Sequence, residues 1–284
     1  MKNLVNPTKN VSDVLNIIIN EASKEKTKLD IESTRDNLQR DEINYAIKVL
    51  DNTLFEIEQN SVVSDRISNE EMIRYYEYRL LRKPQGRKIY DEVLLSAPHS
   101  ECPYCTIRMV STIDHFLPKS EYPNYSITPI NLIPACKDCN TDKKTGYPKV
   151  KNDQLFHPYF DKVDNIAWIK AEIIPSEPLS FQFTVVNINN WSQTQNERAT
   201  KHFDEFKINE LFSNEANREL RSSQRTLKKH HAENKEILKA HLIDAYESSL
   251  EGVGVLYWKT LMYHEMSTNE WFLNGCQGNS FFQD

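Results

Sequence analysis

The 284-residue sequence predicts an α+β protein that is mostly helical, with a small metal-bound centre between helical flanks and a short β-hairpin. Three observations support this fold class. Apolar residues recur at helical spacing in the first hundred residues and again from about residue 196 to 265. Two Cys-x-x-Cys pairs bracket a proline-rich middle segment, and two alternating stretches follow it. The predicted parts are therefore residues 1–98, 99–160 and 161–284.

The helical flanks and the hairpin are predicted from the spacing of apolar side chains. The helical patterns comprise Val11, Val14, Leu15, Ile18, Ile19 and Ala22, then Met72, Ile73, Tyr76 and Leu80, then Ile237, Leu238, Leu242, Ile243 and Tyr246. Lys83-Pro84-Gln85-Gly86 ends the second pattern, and a helical piece from Ile89 to Leu95 leads to the first cysteine. Ile166–Ile174 and Phe181–Val186 alternate as paired strands do.

Composition and charge argue against a membrane protein and against a protein that binds nucleic acid through its overall charge. No run approaches the roughly 20 apolar residues that cross a bilayer, and the start resembles no signal peptide, so we expect a cytoplasmic protein without a membrane partner. The net charge of −6 argues against nucleic-acid binding by bulk charge alone. Only the middle segment is slightly basic. Its lysines indicate either a patch that holds a phosphate backbone or a solvated loop.

Four cysteines are the strongest metal signal. Disulfides are rare in a reducing cytosol, so Cys102, Cys105, Cys136 and Cys139 are interpreted as ligands. Two such knuckles that meet in space form a closed tetrahedral thiolate site, which favours a structural zinc ion (Zn²⁺). A redox dithiol is the competing interpretation, but it needs no second pair. Cys276 stands apart and is expected to be a buried apolar residue.

The segment between the knuckles resembles the HNH endonuclease family. Asp114-His115-Phe116-Leu117-Pro118 is similar to the family's first element, Asn131-Leu132 to its central element, and Cys139-Asn140 to its last. The resemblance covers about residues 101–150. It implies a ββα-metal fold, in which two short strands and a helix carry a nuclease site.

The chemistry of phosphodiester hydrolysis explains these residue types. A deprotonated water must attack the phosphate, and a cation must stabilise the developing charge. His115 is the candidate general base, because an imidazole can accept a proton near neutral pH. The resemblance implies that Asp114 and Asn140 bind magnesium (Mg²⁺) or manganese (Mn²⁺). Asn131 is expected to orient His115 by hydrogen bonds.

Several of these residues have simpler interpretations. Asp114-His115 alone could be a surface pair. Capping the helix that begins at Asn140 could be the sole role of that residue. The candidate contacts to nucleic acid are Lys143 and Lys144 on that helix, together with Lys119. The expected nucleic acid is DNA. His157 in the segment "FHPYFD" is interpreted as a packing or hydrogen-bonding residue that supports the centre.

A fainter resemblance extends beyond the centre. The segments "GRKIYDEVLLSAPHSECPYC" and "LYWKTLMYHEMSTNEWFLNG" resemble HNH proteins of bacterial anti-phage systems, Septu-type and retron-linked, whose nuclease subunit works beside an ATPase. The second segment is aromatic-rich, and it is interpreted either as a core-facing helix or as a partner-binding face. The sequence therefore favours an HNH endonuclease, with an ATPase as the candidate partner. The alternative is a zinc-ribbon module that binds nucleic acid or protein without catalysis, as a partner subunit of an ATPase.

Overall fold

The computed structural model describes residues 1–283 and divides the chain into two compact units. The first unit is Met1–Lys162, and the second begins at Val163. The prediction of a mostly helical protein with small two-stranded sheets is confirmed. The predicted boundary near residue 98 stays a prediction. Within residues 1–283, no helix is both long and apolar enough to span a membrane.

The first unit contains six α-helices, and the first five contribute to a continuous apolar core. The bounds of the six helices are α1 Val11–Asn20, α2 Glu25–Glu32, α3 Arg35–Leu50, α4 Asn69–Arg74, α5 Pro84–Leu95 and α6 Lys137–Lys143. Asn10 caps α1 with a reciprocal hydrogen bond pair to Asp13, which satisfies backbone donors at the helix start. The apolar stripe of α1 is buried as the sequence predicts.

A π-helical segment, Tyr75–Leu80, continues directly from α4. Pro84 then occupies the first turn of α5, where its missing N–H is harmless. The motif that ends one helix therefore also begins the next, five residues before the predicted start at Ile89. Gly86 makes this junction possible, because a Cβ atom there would overlap the carbonyl oxygen of Arg79 in the π-helical segment.

The small sheet of the first unit joins two short strands. Strand β1 (Thr112–His115) pairs antiparallel with β2 (Leu132–Ala135), so that Asp114 lies opposite Ile133 and His115 opposite Leu132. Helix α6 follows β2 after a single residue. This order of two strands and a helix is the ββα arrangement that the resemblance implies.

The second unit contains a hairpin and helices. Strand β3 (Ile169–Ile174) pairs with β4 (Ser180–Val185), as predicted. The helices that follow are α7 Gln193–Glu205, α8 Ile208–Glu233, α9 Lys235–Val253, α10 Trp258–Thr268 and α11 Glu270–Leu273. The expected apolar stripe of α9 is only partly buried, because Ile237 and Ile243 are 39% and 37% exposed.

The aromatic segment at the end of the chain belongs to the core of the second unit. Trp258, Tyr263 and Phe272 are all buried. Tyr263 also donates a hydrogen bond from its hydroxyl to Glu219 in α8, at 2.8 Å. The structure therefore favours the core-facing interpretation of these three residues over a partner-binding face.

We expect Gly86→Ala to destabilise the protein by about 1–3 kcal/mol, because the added methyl group must displace backbone. The matched control is Gly252→Ala in α9, where a Cβ atom meets open space. That change should be neutral or stabilise by up to about 1 kcal/mol through helix propensity. Urea unfolding of both variants measures the difference, and equal effects would contradict the assigned contact.

Candidate functional site

The four cysteines of the two knuckles meet at one buried point. Their sulfur atoms all lie within 4.8 Å of one another, and no disulfide joins them. Tetrahedral zinc with Zn–S bonds of about 2.3 Å requires sulfur atoms separated by about 3.8 Å, which this cluster accommodates. The predicted cluster is confirmed as a group that can hold zinc.

Both knuckles are shaped by local backbone geometry. In the first, the Cys102 N–H donates to the Arg108 carbonyl at 2.8 Å, and Thr106 takes a left-handed conformation with φ of 57°. In the second, Cys136 caps α6 and accepts a hydrogen bond from the Cys139 N–H at 3.3 Å. Helix α6 therefore begins at Lys137.

This helix start excludes the interpretation of Asn140 as a cap. Asn140 lies one turn inside α6 and is half-buried, while the cap position belongs to Cys136. The expectation that the helix begins at Asn140 was wrong, because a cysteine sulfur accepts the hydrogen bond that an asparagine oxygen usually accepts.

Asp114 is a buried carboxylate with two hydrogen-bonding partners. The residue is 2% exposed, and its carboxylate accepts a hydrogen bond from the Tyr104 hydroxyl at 2.8 Å. The Lys143 ammonium lies 3.2 Å from Oδ1 and 3.1 Å from Oδ2. A buried carboxylate requires such a counter-charge, since an unpaired one would pay the full cost of desolvation.

Lys143 links helix α6 to strand β1. Its side chain is 2% exposed, and its ammonium donates to the His115 carbonyl at 2.8 Å in addition to its contact with Asp114. In this structure Lys143 is therefore not available for the phosphate contact expected from the sequence. The position of Lys143 in the sequence, one turn after Asn140, indicates a solvated side chain. In the fold this side chain is buried against strand β1 instead.

His115 ends strand β1 and is held in one tautomer. Its Nε2 lies 3.0 Å from the Ser126 carbonyl oxygen. Because a carbonyl oxygen only accepts, the ring proton is on Nε2, and Nδ1 keeps a lone pair. The ring of Tyr76, from the π-helical segment, contacts the imidazole edge-on with centroids 4.4 Å apart.

Burial keeps His115 neutral. Desolvation lowers the pKa of His115 to about 3, and the Ser126 carbonyl opposes this only in part. The positive charges of Lys119 and Lys143 lower it further. The imidazole is therefore neutral throughout the physiological range.

Asn131 ties together the two segments that define the position of His115. Its Oδ1 accepts from the Leu117 N–H at 2.7 Å, and its Nδ2 donates to the carbonyls of Leu117 at 3.0 Å and Tyr125 at 3.2 Å. Leu117 follows His115 closely, and Tyr125 directly precedes Ser126. This geometry fits the orienting role expected from the sequence.

The other two candidate lysines differ in exposure. Lys144 is exposed directly after α6, with φ of 51°. Lys119 forms an ion pair with Glu77, and its ammonium lies over the ring of Tyr76, 5.4 Å from the centroid. Lys144 is therefore open to solvent, while Lys119 is partly engaged.

Three contacts of the centre involve residues outside the elements of the HNH motif. Tyr104 lies between two cysteines in the sequence, but the spacing does not reveal that its hydroxyl contacts Asp114. Ser126 contributes only a backbone carbonyl, for which sequence carries no signal. Tyr76 comes from a helix more than thirty residues upstream, and its periodicity indicates only burial.

Comparison with known proteins identifies relatives. The family model described as HNH endonuclease matches residues 102–146, which confirms the resemblance. Protein ea31 of Escherichia phage lambda is 30% identical over 234 residues, covering 77% of this chain and 79% of ea31. Septu protein PtuB of Bacillus thuringiensis is 33% identical over 85 residues, which are 28% of this chain and 32% of PtuB. No solved structure matches the chain.

We expect the His115 imidazole to remain neutral from about pH 5 to 8, because its pKa lies near 3. Side-chain ¹⁵N NMR should show one Nε2–H tautomer throughout, assigned by its absence in His115→Gln. Titration of this signal near pH 6.5 would contradict the burial argument.

The lowered pKa of His115 makes the stability of the folded protein depend on pH. The unfolded imidazole binds a proton below about pH 6.5, whereas the folded one does so only near 3. This contribution to stability is therefore complete above pH 6.5 and decreases as the pH falls toward 3, by at most about 1.4 kcal/mol per pH unit. Urea unfolding at pH 7 and 5 should show a larger loss for the wild type than for His115→Gln.

Proposed function

The chain belongs to the family of the phage lambda protein ea31 and carries an HNH endonuclease domain, and on that premise we propose that it is a divalent-metal-dependent endonuclease that hydrolyses phosphodiester bonds in DNA. One observation gives the endonuclease proposal its main support. Within the HNH match, His115 is neutral and its Nε2 proton is engaged by Ser126, so that Nδ1 is the atom that can accept a proton.

His115 acts as the general base in this proposal. A water molecule aligned with the phosphate transfers a proton to Nδ1 as it attacks, and the Ser126 carbonyl stabilises the imidazolium that forms through the Nε2–H hydrogen bond. A base with a pKa near 3 is weak in the free protein. The negative charge of a bound phosphate raises that pKa towards the working pH, so that substrate binding strengthens the base.

Asp114 and Asn140 are the proposed ligands of the catalytic cation. Carboxylate and amide oxygens fit Mg²⁺ or Mn²⁺ better than softer metals. When bound, such a cation supplies charge stabilisation for the phosphate and the leaving oxygen. Lys143 already neutralises Asp114, so the aspartate can serve as a ligand only where its contact with the ammonium is exchanged.

The four cysteines are the proposed ligands of a structural zinc ion. Four thiolates fill a tetrahedral shell and leave no position for water or substrate, so this ion takes no part in hydrolysis. Its proposed task is to hold the segment that carries Asp114 and His115 against helix α6. Binding free energies of about 10–16 kcal/mol are typical of such sites and suffice to order this segment.

Lys144 and Lys119 are the proposed contacts to DNA. Lys144 is exposed at the end of α6, and Lys119 lies beside Tyr76, which packs on His115. Phosphate contacts of this kind position a duplex without reading its sequence. The net charge of −6 implies that binding depends on these local charges.

A role in anti-phage defence, beside an ATPase partner, is a further part of the proposal. It is supported by the similarity to Septu protein PtuB over 85 residues and by the two flanking segments noted in the sequence. Copurification with the product of a neighbouring gene tests this part separately from the chemistry.

One observation favours the alternative of a non-catalytic binding module. Asp114, the expected metal ligand, is buried in an ion pair with Lys143 and bonded to Tyr104. Such an arrangement also stabilises a centre that does no chemistry. Absence of cleavage by the wild type with every divalent cation and DNA form would leave this alternative standing.

We expect wild-type protein with Mg²⁺ or Mn²⁺ to nick supercoiled plasmid, and His115→Ala to reduce the single-turnover rate by about 100-fold or more, because the proton acceptor is lost. His241→Ala, which changes a histidine of the second unit, should cleave like the wild type. Thermal unfolding verifies that each variant is folded. Cleavage retained by folded His115→Ala would refute the assignment of the base.

A further inference from the structure

We propose that Tyr45 and His157 are positioning residues for His115, and this inference rests on the proposed endonuclease function. Both lie outside the HNH match at residues 102–146. Tyr45 comes from helix α3, and His157 lies after the HNH match, in the segment "FHPYFD". Both side chains are fully buried.

A chain of hydrogen bonds joins the two residues to Asn131. The Tyr45 hydroxyl lies 3.0 Å from Asn131 Oδ1 and 3.1 Å from His157 Nε2. On the other side of the imidazole, Nδ1 accepts from the Tyr159 backbone N–H at 3.3 Å. Three groups from separate parts of the sequence therefore form one buried network.

The chemistry of the groups determines the direction of every bond in this chain. Nδ1 of His157 accepts from a backbone N–H, so the ring proton of the neutral imidazole is on Nε2. Nε2 then donates to the Tyr45 oxygen, and the Tyr45 hydroxyl must donate to Asn131 Oδ1, which only accepts. No donor faces another donor, and the network has a single arrangement.

The network completes the hydrogen bonding of Asn131. Oδ1 accepts from Tyr45 and from the Leu117 N–H, while Nδ2 donates to the carbonyls of Leu117 and Tyr125. An amide has two acceptor positions and two donors, so all four are used. Oδ1 and Nδ2 cannot exchange places without losing the bonds to the Leu117 N–H and to both carbonyls. Tyr45, which donates to Oδ1, helps to fix the amide in the orientation that holds both segments.

His157 also contacts the segment after His115 directly. Its ring packs against Phe116 with centroids 4.2 Å apart. Loss of the network would therefore loosen residues 116–117 on one side and residue 125 on the other. These are the neighbours of His115 and of its acceptor Ser126, so the tautomer of His115 depends on the network.

The first test compares two variants that each lose one buried hydroxyl in the first unit. Tyr45→Phe removes the central member of the network. Thr34→Val is the control, because Thr34 is equally buried and donates only to the Ile31 carbonyl, at 2.7 Å. In steady-state cleavage of a DNA oligonucleotide by the zinc-loaded full chain, Tyr45→Phe should lower kcat by about 10–100-fold with KM changed less than about threefold. Thr34→Val should keep kcat.

A conservative pair tests His157 by rescue. His157→Gln keeps an amide donor near the position of Nε2 and should retain most of kcat, whereas His157→Leu should lose as much as Tyr45→Phe. Equal kcat in Tyr45→Phe and Thr34→Val, or equal loss in the two His157 variants, would overturn the proposal, since a structural role alone predicts these results.

A second readout does not depend on cleavage. Side-chain ¹⁵N NMR should show that His115 loses its single Nε2–H tautomer in Tyr45→Phe and keeps it in Thr34→Val. Inactive wild-type protein would defeat the proposed function but leave this measurement intact. An unchanged His115 spectrum in Tyr45→Phe would then overturn the inference on its own.

Discussion

The convergence of four cysteine sulfurs is the constraint on which the centre of this protein depends. The sulfurs lie within 4.8 Å of one another and bring together the loop after α5 and the first turn of α6. Everything between Cys105 and Cys136, including β1 and β2, is thereby closed into a loop with defined ends. A four-residue strand pair is too short to be stable alone, so its geometry depends on this closure.

Burial then determines how the polar groups inside the loop are paired. Asp114 and Lys143 neutralise each other, and Tyr104 connects the carboxylate to the first knuckle. His115 is kept neutral by desolvation and directed by the Ser126 carbonyl. A low-dielectric interior makes any unpaired polar group costly, so each of these contacts restricts the others. The candidate base is therefore positioned by the fold before any substrate binds.

The sequence alone predicts those elements that depend on local residue patterns. The two knuckles, the Asp114-His115 pair, the hairpin of the second unit and the ββα order follow from spacing and from the family resemblance. Other features depend on tertiary contacts that spacing does not encode. Lys143 resembles a solvated helix lysine until β1 supplies its partners, and Cys136 is an unusual helix cap. The contacts of Tyr45 and Tyr76 join side chains across long stretches of sequence, which spacing does not reveal.

Zinc K-edge X-ray absorption on the purified protein tests the central claim most directly. The account predicts one zinc ion per chain with four sulfur neighbours at about 2.3 Å and no nitrogen or oxygen ligand. Protein that folds and keeps the His115 tautomer without bound metal would contradict it. A coordination shell that contains nitrogen or oxygen donors would do the same.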